Sequence, residues 1–523
     1  MVATNFAPLL LVTALLASDV SAARVDPGVH RTLRQQKTVN LIVTMKKGTQ
    51  ESIKAVKEAS FTSRGALIED MVSRLQKNAE SSQSELSGLF AKEAAGEYGS
   101  SKSFWISNQL YVDGATVEFL ERLAASPSVG EIREENIFEV PEIQAAAAAP
   151  ANSSASGISW GVEMIKAPVV WAKGNTGEGV VVANIDTGVL ATHEAIKGNF
   201  RSKYGWFDAG IYSEEPYDDN GHGTHTMGTI AGTNGIGVAP GVTWMTCKGC
   251  MKGLCFENLV LECMQFMTCP TDTKGKNPDC SKAPHVVNSS LGGAGGQTTH
   301  KAAIDAWHAA GIIPVFSNGN SGKKGCSTAG SPGDYANVIG VGATNSSDGL
   351  ADFSSKGPAV SGIMKPEISA PGVDVRSAWY TGDSEYHSIS GTSMAAPHVT
   401  GAVALLLAAN PGLKFDEIRD ILIKNTDTES LMPSGYSCGN TTDGVFPNNM
   451  YGYGRLNVNK AVGNAPVPQP TSPGSTTPAP STKTPVPTTS APPQADCSGK
   501  EWFECTSTPG CDYSWNELKC LHK

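Results

Sequence analysis

The sequence predicts a large α/β domain whose parallel sheet is covered by helices on both faces. Beyond Trp160, apolar runs alternate with helical stretches, and this alternation is typical of a parallel sheet. The runs are nearly continuous in apolar residues, as strands buried on both faces require. They read VVVANID, PHVVNSSL, IIPVFSN and NVIGVGAT. At 523 residues the chain also has room for smaller units on either side of this domain.

The first 22 residues predict a cleaved signal peptide. An apolar centre runs from about Ala7 to Ala17, and small residues precede the charged sequence that follows Ala22. The segment lacks the Lys or Arg usual before such a centre. No later segment approaches the ~18 consecutive apolar residues of a membrane span. We therefore expect a secreted, extracellular protein with no transmembrane segment.

Residues 23–150 predict a small α+β domain that precedes the large one. A strand is expected near residues 38–46, a helix over 60–92 and a helical stripe at Val117, Leu120 and Leu123. A returning strand should contain Val129 to Ile137. The domain ends in an alanine and serine run, residues 145–156, where we expect an exposed joint that can be cut.

The large domain should occupy residues 151–463, followed by two short units. Residues 464–495 are rich in Pro, Ser and Thr and predict an extended linker. Residues 496–523 contain four cysteines and should form a small module that depends on disulfides. Sequons at Asn152, Asn345 and Asn440 are candidate glycosylation sites, whereas Asn288 should be inaccessible.

Charge and cysteine content narrow the range of partners. A net charge of -10 argues against nucleic acid, which requires clustered Lys and Arg. Twelve cysteines suit an oxidising compartment, and we expect most of the eight between Cys247 and Cys438 to be paired. Zinc binding by the closely spaced pairs is the alternative.

Three polar residues lie at the ends or starts of elements in the large domain. Asp186 interrupts an apolar run, and the second Asp-Thr-Gly or Asp-Ser-Gly that an aspartic protease needs does not occur. His222 begins a helical stretch between two glycines, whereas His225 should pack within that helix. Ser393 should begin a buried helix, with Pro397 in its first turn. Each has a capping or structural alternative, but together they should meet beyond the carboxyl ends of the strands.

The segments IDTGV, NGHGTHTMGTIAG and SGTSMAAPHVTGAVALL resemble the three signature blocks of the subtilisin-like serine proteases, the peptidase S8 family. Residues 244–372 are similar to the bacillopeptidase F branch, and the segment before the large domain resembles an inhibitor-type (I9-like) propeptide. The resemblance implies a subtilisin-like fold and a catalytic triad. In it Asp186 orients His222, which takes a proton from the nucleophile Ser393.

The resemblance also implies the rest of the site. Asn320 would donate to the oxyanion, and a substrate strand would lie between two edges, one of them near residues 252–254. The implied substrate-binding residues are Ser290, Leu291, Gly292 and Gly330. No acid or base accompanies Gly330 in sequence, so we expect a roomy apolar pocket and a preference for large apolar residues before the scissile bond.

We therefore expect a secreted serine endopeptidase made as a self-processing zymogen. Its partners would be protein or peptide substrates and its own propeptide, which would act as an intramolecular inhibitor. The chemistry needs no cofactor, and structural calcium is unassigned because AGTNGIGVAP is short where many relatives carry a calcium loop. The alternative is an inactive binding protein of this fold. In either case the C-terminal module is expected to bind a surface or polysaccharide ligand.

Overall fold

The computed structural model describes residues 22–92, 96–140, 144–145, 157–466, 511–514 and 519–522. The chain forms two compact units, Met1–Pro468 and Gln469–Lys523. Residues 1–21 of the expected signal peptide, residues 146–156 of the expected joint and almost all of the expected linker lie outside the described residues. Asn152 lies outside them as well.

An N-terminal domain is built from four helices around a five-stranded sheet of order β1-β5-β2-β4-β3. Its core joins residues of β2, β4 and β5 to Phe119, Leu120 and Leu123 on one face of α4. The elements are β1 (Arg24–Val25), α1 (Pro27–Gln35), β2 (Val39–Met45), α2 (Gln50–Lys57), α3 (Arg64–Lys92), β3 (Ser101–Phe104), β4 (Gln109–Ala115), α4 (Val117–Ala125) and β5 (Val129–Glu134). The predicted small α+β domain is confirmed.

The last predicted strand of this domain divides into separate strands. After β5 the chain forms β6 (Ile137–Glu139) and β7 (Gln144–Ala145), and neither joins the five-stranded sheet. β6 pairs with β12 (Leu254–Phe256), and β7 pairs with β18 (Tyr386–Ser390). Both partner strands belong to the large domain. Ile137 is accordingly 53% exposed, because it is not part of the domain core. The segment thus links the two domains through backbone pairing.

The large domain contains a seven-stranded parallel sheet of order β16-β15-β14-β13-β8-β10-β9, as predicted. Its elements up to the middle of the domain are α5 (Trp160–Met164), α6 (Ala167–Trp171), β8 (Val181–Asp186), β9 (Trp206–Asp208), α7 (His222–Ala231), β10 (Thr243–Lys248), β11 (Cys250–Met251), β12 (Leu254–Phe256), α8 (Glu257–Thr268), β13 (Val286–Ser289) and α9 (Lys301–Ala309). They continue with β14 (Ile313–Ser317), β15 (Ile339–Thr344), β16 (Ile368–Pro371), β17 (Val375–Ala378), β18 (Tyr386–Ser390), α10 (Thr392–Ala409), α11 (Phe415–Lys424), β19 (Ser437–Cys438), β20 (Thr441–Thr442) and α12 (Val458–Gly463).

Two apolar cores lie on opposite faces of the sheet. One packs α7 and α10 against it, and the other packs α8 and α9. In the described part of the chain, α10 is the one helix long and apolar enough to cross a membrane, but 89% of that window is buried inside the protein. Its apolar character therefore has an explanation in the core of the large domain.

All eight cysteines between Cys247 and Cys438 are paired, as predicted. The bridges are Cys247–Cys263, Cys250–Cys255, Cys269–Cys280 and Cys326–Cys438. Disulfide pairing occupies the thiols that the zinc alternative would require. In the second unit, the described residues form an antiparallel pair of strands, β21 (Cys511–Ser514) and β22 (Lys519–His522).

Candidate active site

The candidate site lies at the carboxyl edge of the sheet, where the strand order changes direction. Asp186 is the last residue of β8, which lies between β13 and β10. His222 begins α7, and Ser393 is the second residue of α10. Sites in open α/β sheets form at such positions, because loops from neighbouring strands diverge there.

The Asp186 carboxylate holds the His222 ring. His222 Nδ1 lies 2.7 Å from Asp186 Oδ1, and the two side chains are 2% and 0% exposed. Asp186 also accepts bonds from the Thr187 amide at 2.8 Å and the Thr226 hydroxyl at 3.2 Å. Burial lowers the pKa of His222, but the charge and hydrogen bond of Asp186, together with Asp218, outweigh it, and the pKa is raised.

Asp218 is a buried carboxylate that sequence reasoning missed. It accepts the amides of Gly221 and Thr224 at 2.9 Å each and the Thr187 hydroxyl at 2.8 Å. These bonds fix the turn that delivers His222 to Asp186, and burial raises the pKa of Asp218. The acidic pair Asp218-Asp219, shortly before His222, was the available signal, but a pair of acids in a loop is ordinary in sequence.

The glycines on either side of His222 are required by close packing of the protein. A Cβ on Gly223 would lie 2.0 Å from the Gly188 carbonyl oxygen, and one on Gly221 would lie 2.7 Å from the Trp379 ring. Gly221 also has a φ of 102°, which favours glycine. Close packing against the protein's own backbone and aromatic rings therefore accounts for both glycines.

His225 is separated chemically from His222, although it lies on the same helix. Its Nε2 is 2.8 Å from the Val375 carbonyl, and burial lowers its pKa to about 3. A ring that stays neutral and bonded to the backbone has a packing role, as predicted.

Ser393 is connected to Ser290 through an uncommon helix feature. Pro397 lies at the sixth position of α10 and not in its first turn, which corrects the prediction. A proline there has no N–H for the carbonyl four residues earlier, which is that of Ser393. The Ser290 hydroxyl donates to this carbonyl at 3.0 Å. The Ser290 hydroxyl thus takes the place of the missing helix N–H as the donor to the Ser393 carbonyl.

The Ser393 side chain does not bond to His222 in this state. Its Oγ donates to the Ser290 carbonyl at 3.3 Å, and His222 Nε2 is buried without a hydrogen-bond partner among the described residues. Catalytic hydrogen bonds are often long before substrate is in place. The structure therefore brings Asp186 and His222 together and places Ser393 at the same edge of the sheet.

Asn320 follows β14 and is oriented by the start of α10. Its Oδ1 accepts the Thr392 amide at 2.9 Å and the Thr392 hydroxyl at 2.8 Å. The amide nitrogen is therefore directed away from Thr392. A donor beside the first N–H groups of α10 is the arrangement that a developing oxyanion requires.

The N-terminal segment is paired with both sides of the candidate cleft. β6 pairs antiparallel with β12, with Phe138 opposite Cys255, and the Val140 amide donates to the Gly253 carbonyl at 2.8 Å. β7 pairs with β18, with Gln144 opposite Ser390, three residues before Ser393. The expected second edge near residues 252–254 thus carries a paired strand.

Gly330, expected to line the substrate pocket, is bonded through its carbonyl to the amide of a buried acid, Asp334, at 3.0 Å. A Cβ on Gly330 would lie 2.6 Å from the Gly293 carbonyl, which explains the glycine by close approach. Asp334 is 5% exposed, and its Oδ2 accepts the Gly296 amide at 2.7 Å. Its other carboxylate oxygen has no partner among the described residues.

Residues 177–454 of the large domain match the sequence pattern of the subtilase family, peptidase S8. The chain is 38% identical over 274 residues to subtilisin DY from Bacillus licheniformis, covering 51% of this chain and 90% of that protein. It is 36% identical over 313 residues to subtilisin Savinase from Lederbergia lenta, covering 59% and 99%. The protein belongs to the subtilase family.

A third relative extends the likeness beyond the large domain. Bacillopeptidase F from Bacillus subtilis is 35% identical over 445 residues, covering 80% of this chain but 30% of that longer protein. The family assignment makes this subtilase a serine endopeptidase with protein substrates. The alternative of an inactive binding protein is not favoured. In the described residues no group of three or more His, Cys, Asp or Glu side chains could hold a metal ion.

Proposed function

We propose that this subtilase is a secreted endopeptidase made as a zymogen that processes itself, with Asp186, His222 and Ser393 as its triad. The observation that carries the proposal is the pairing of the N-terminal segment on both sides of Ser393. β6 and β7 lie against opposite ends of the candidate cleft, and residues 141–143 connect them. A chain that is paired with the large domain on both sides of Ser393 is arranged as a substrate.

In the proposed mechanism, His222 Nε2 takes the proton of Ser393 Oγ as the oxygen attacks the scissile carbonyl. Asp186 keeps the proton of the ring on Nδ1 and stabilises the imidazolium that forms. The amide of Ser393 and the Asn320 side chain would donate to the tetrahedral oxyanion. His222 then gives its proton to the leaving amine, and water hydrolyses the acyl-enzyme by the same route.

Polar contacts between the N-terminal and large domains support a role for the former as an inhibitor. Arg64, at the start of α3, donates to three backbone carbonyls of the large domain: Ala310 at 2.9 Å, Ala283 at 3.0 Å and Pro284 at 2.6 Å. Burial in this contact lowers the pKa of Arg64 to about 10. A guanidinium buried among carbonyls would hold the N-terminal domain in place after the chain is cut.

A second polar contact lies beside the cleft. Arg133 forms an ion pair with Glu257, the first residue of α8, and Asn136 donates to the same carboxylate through its amide and its side chain at 3.0 Å each. Glu135 in turn accepts the Asn258 amide at 3.1 Å. An acidic side chain at a helix N-terminus is electrostatically favourable, so this contact stabilises both α8 and the docked segment.

We propose a position for the cut that lies slightly before the one expected from the sequence. Val140 bonds to Gly253, between β11 and β12, and Gln144 pairs with Ser390 of β18. The scissile bond should therefore lie between Val140 and Gln144, before the alanine joint at 145–156. We further propose a preference for large apolar residues before the scissile bond in substrates supplied separately. Cleavage only after Arg or Lys would contradict this preference. If Asp334→Asn abolished that cleavage, the specificity would be assigned to the buried acid.

The localisation and the roles of the remaining units are proposed from the sequence. The N-terminal 22 residues direct secretion. The four-cysteine module binds a surface or polysaccharide ligand and so localises the enzyme, but it takes no part in the reaction. The reaction itself requires no cofactor, and calcium would have a structural role only.

Ser393→Ala tests the proposal directly. Expressed without other proteases, it should accumulate as uncut precursor and fail to react with a serine-directed fluorophosphonate. Ser202→Ala, at an exposed serine of the same domain, is the matched control and should mature and label normally. Sequencing of the mature N-terminus should give a start between residues 141 and 144. Maturation of Ser393→Ala at the normal rate would overturn self-processing.

A further inference from the structure

The edge of the cleft that pairs with β6 is a short hairpin, residues 250–256, which we call the hairpin wall. β11 and β12 pair antiparallel, with Cys250 opposite Cys255 and Met251 opposite Leu254. The two turn residues, Lys252 and Gly253, have φ of 49° and 82°. Two consecutive positive φ values are typical of the two-residue turn whose twist matches that of a hairpin.

The hairpin wall has little support from the main sheet. Its strands have two and three residues, and β12 has β11 as its one neighbour besides β6 of the N-terminal segment. An isolated two-stranded hairpin is at best marginally stable in water. Once β6 leaves, β12 becomes an edge strand without a partner on the substrate side.

Two features outside the backbone pairing hold the hairpin wall in place. The Cys250–Cys255 disulfide joins the residues that face each other across the pair, and both cysteines are fully buried. At the turn, the Lys252 amide donates to Asp219 at 3.1 Å. Asp219 lies three residues before His222, so the turn is also connected to the loop that carries the ring.

We propose that Cys250 and Cys255 are positioning residues, whose disulfide keeps β12 extended for the backbone of a polypeptide substrate while the cleft is empty. The proposal rests on the proposed function of the same cleft. Peptides that reach the position of Phe138 pair with β12, whereas a single acylated residue before the scissile bond does not reach it. The disulfide should therefore affect binding of long substrates, and the chemical step much less.

The double variant Cys250→Ala/Cys255→Ala tests this without leaving a free thiol. Two substrates are compared: a peptide with six residues before the scissile bond, enough to reach the position of Phe138 from any cut between Val140 and Gln144, and a single acylated amino acid with the same leaving group. We expect the ratio of their kcat/KM values to fall about tenfold, through a higher KM for the longer peptide.

Cys269→Ala/Cys280→Ala removes a disulfide of the same domain whose cysteines belong neither to the hairpin wall nor to the residues that pair with β6. This control should keep the wild-type ratio, whatever its effect on the melting temperature. An unchanged ratio in the Cys250/Cys255 variant, or an equal fall in both double variants, would overturn the proposal. Failure of the wild-type protein to cleave either peptide would instead refute the proposed function.

Discussion

The two walls of the cleft are held in different ways. Residues 290–292, which we call the anchored wall, continue β13 in the middle of the main sheet. The wall is joined to α10 by buried hydrogen bonds from Thr400 to Asn288 at 3.1 Å, from Asn288 to Ser290 at 3.0 Å and from Ser290 to the Ser393 carbonyl at 3.0 Å. The hairpin wall lies outside that sheet, and Leu254 on it is 40% exposed.

This difference separates two tasks of a polypeptide-cleaving site. The chemistry requires atoms fixed to within a fraction of an ångström, and the anchored wall supplies this through the sheet and α10. Substrate binding requires an available strand edge, which a hairpin on the surface provides. We therefore expect changes at the anchored side to lower kcat and changes at the hairpin wall to raise KM.

Asn320→Leu should have the largest effect of the variants that test this comparison. Loss of one oxyanion donor costs about 2.7 to 4 kcal/mol of transition-state stabilisation, a range measured in a subtilisin. We expect kcat to fall by the factor that corresponds to this loss of transition-state stabilisation, with KM nearly unchanged. Both constants are measured on a short peptide after the N-terminal domain has been removed. A rise in KM without a fall in kcat would place Asn320 in substrate binding.

Asp219→Asn should affect the hairpin wall and the stability of the domain. Lys248 is fully buried and lies 2.8 Å from Asp219, which is 24% exposed. Removing the charge of one partner of a buried pair costs about 3–5 kcal/mol, and partial exposure of Asp219 should reduce this to roughly 2. Chemical denaturation should report this loss, and peptide kinetics should report a higher KM.

Glu214→Gln is the control for this variant. Glu214 and Lys274 form a pair with side chains 68% and 64% exposed, so the substitution should change stability by about 0–1 kcal/mol. A loss equal to that of Asp219→Asn would show that burial of Lys248 is not the cause.

The loss of activity at low pH should depend on His222 and the carboxylates beside it, and not on the hairpin wall. His222 must be neutral to act as a base, and its pKa is raised, so kcat/KM should rise with pH around a midpoint above 6.5. Well below the midpoint, each pH unit should cost about tenfold, or 1.36 kcal/mol. Asp219→Asn should leave the midpoint in place, because Asp186 and Asp218 are the carboxylates that raise this pKa. A midpoint at or below 6.5 would contradict the proposed environment of His222.

Truncation after Pro468 should have the smallest effect. The cut keeps the Pro466 carbonyl, which accepts a bond from Asn410 at 2.8 Å, and removes the second unit. Hydrolysis of a short peptide should remain within about twofold of that of the full chain. A large fall in kcat would show that one of the two walls depends on the tail.

Much of the fold and of the candidate site could be predicted from the sequence. The continuous apolar runs indicated the parallel sheet, because strands buried on both faces leave that pattern. Asp186, His222 and Ser393 lie at element ends, where a reason other than packing is needed for a polar residue. Cysteine content and the signal-like start indicated paired cysteines before the structure was known.

The remaining features depend on contacts between distant residues, which local patterns do not encode. Ile137 fits the period of a core strand but pairs with β12, more than a hundred residues away. Pro397 resembled a first-turn proline, and only the Ser290 hydroxyl explains its true position. Eight cysteines allow about 105 pairings, so the bond across the hairpin wall could not be chosen from the sequence.

The Cys326–Cys438 disulfide encloses Ser393 in a covalent ring, since its cysteines are 112 residues apart and lie on either side of this serine. Residues 429–437, largely exposed and without a helix, lie inside this ring. Exposed loops of this kind are preferred sites of proteolytic nicking. One cut there leaves both pieces joined through sulfur, so two cuts are needed before the helix that bears Ser393 can separate from the rest of the chain. In a solution that contains active protease, the molecule therefore survives one self-inflicted cut in this loop as a single covalent entity.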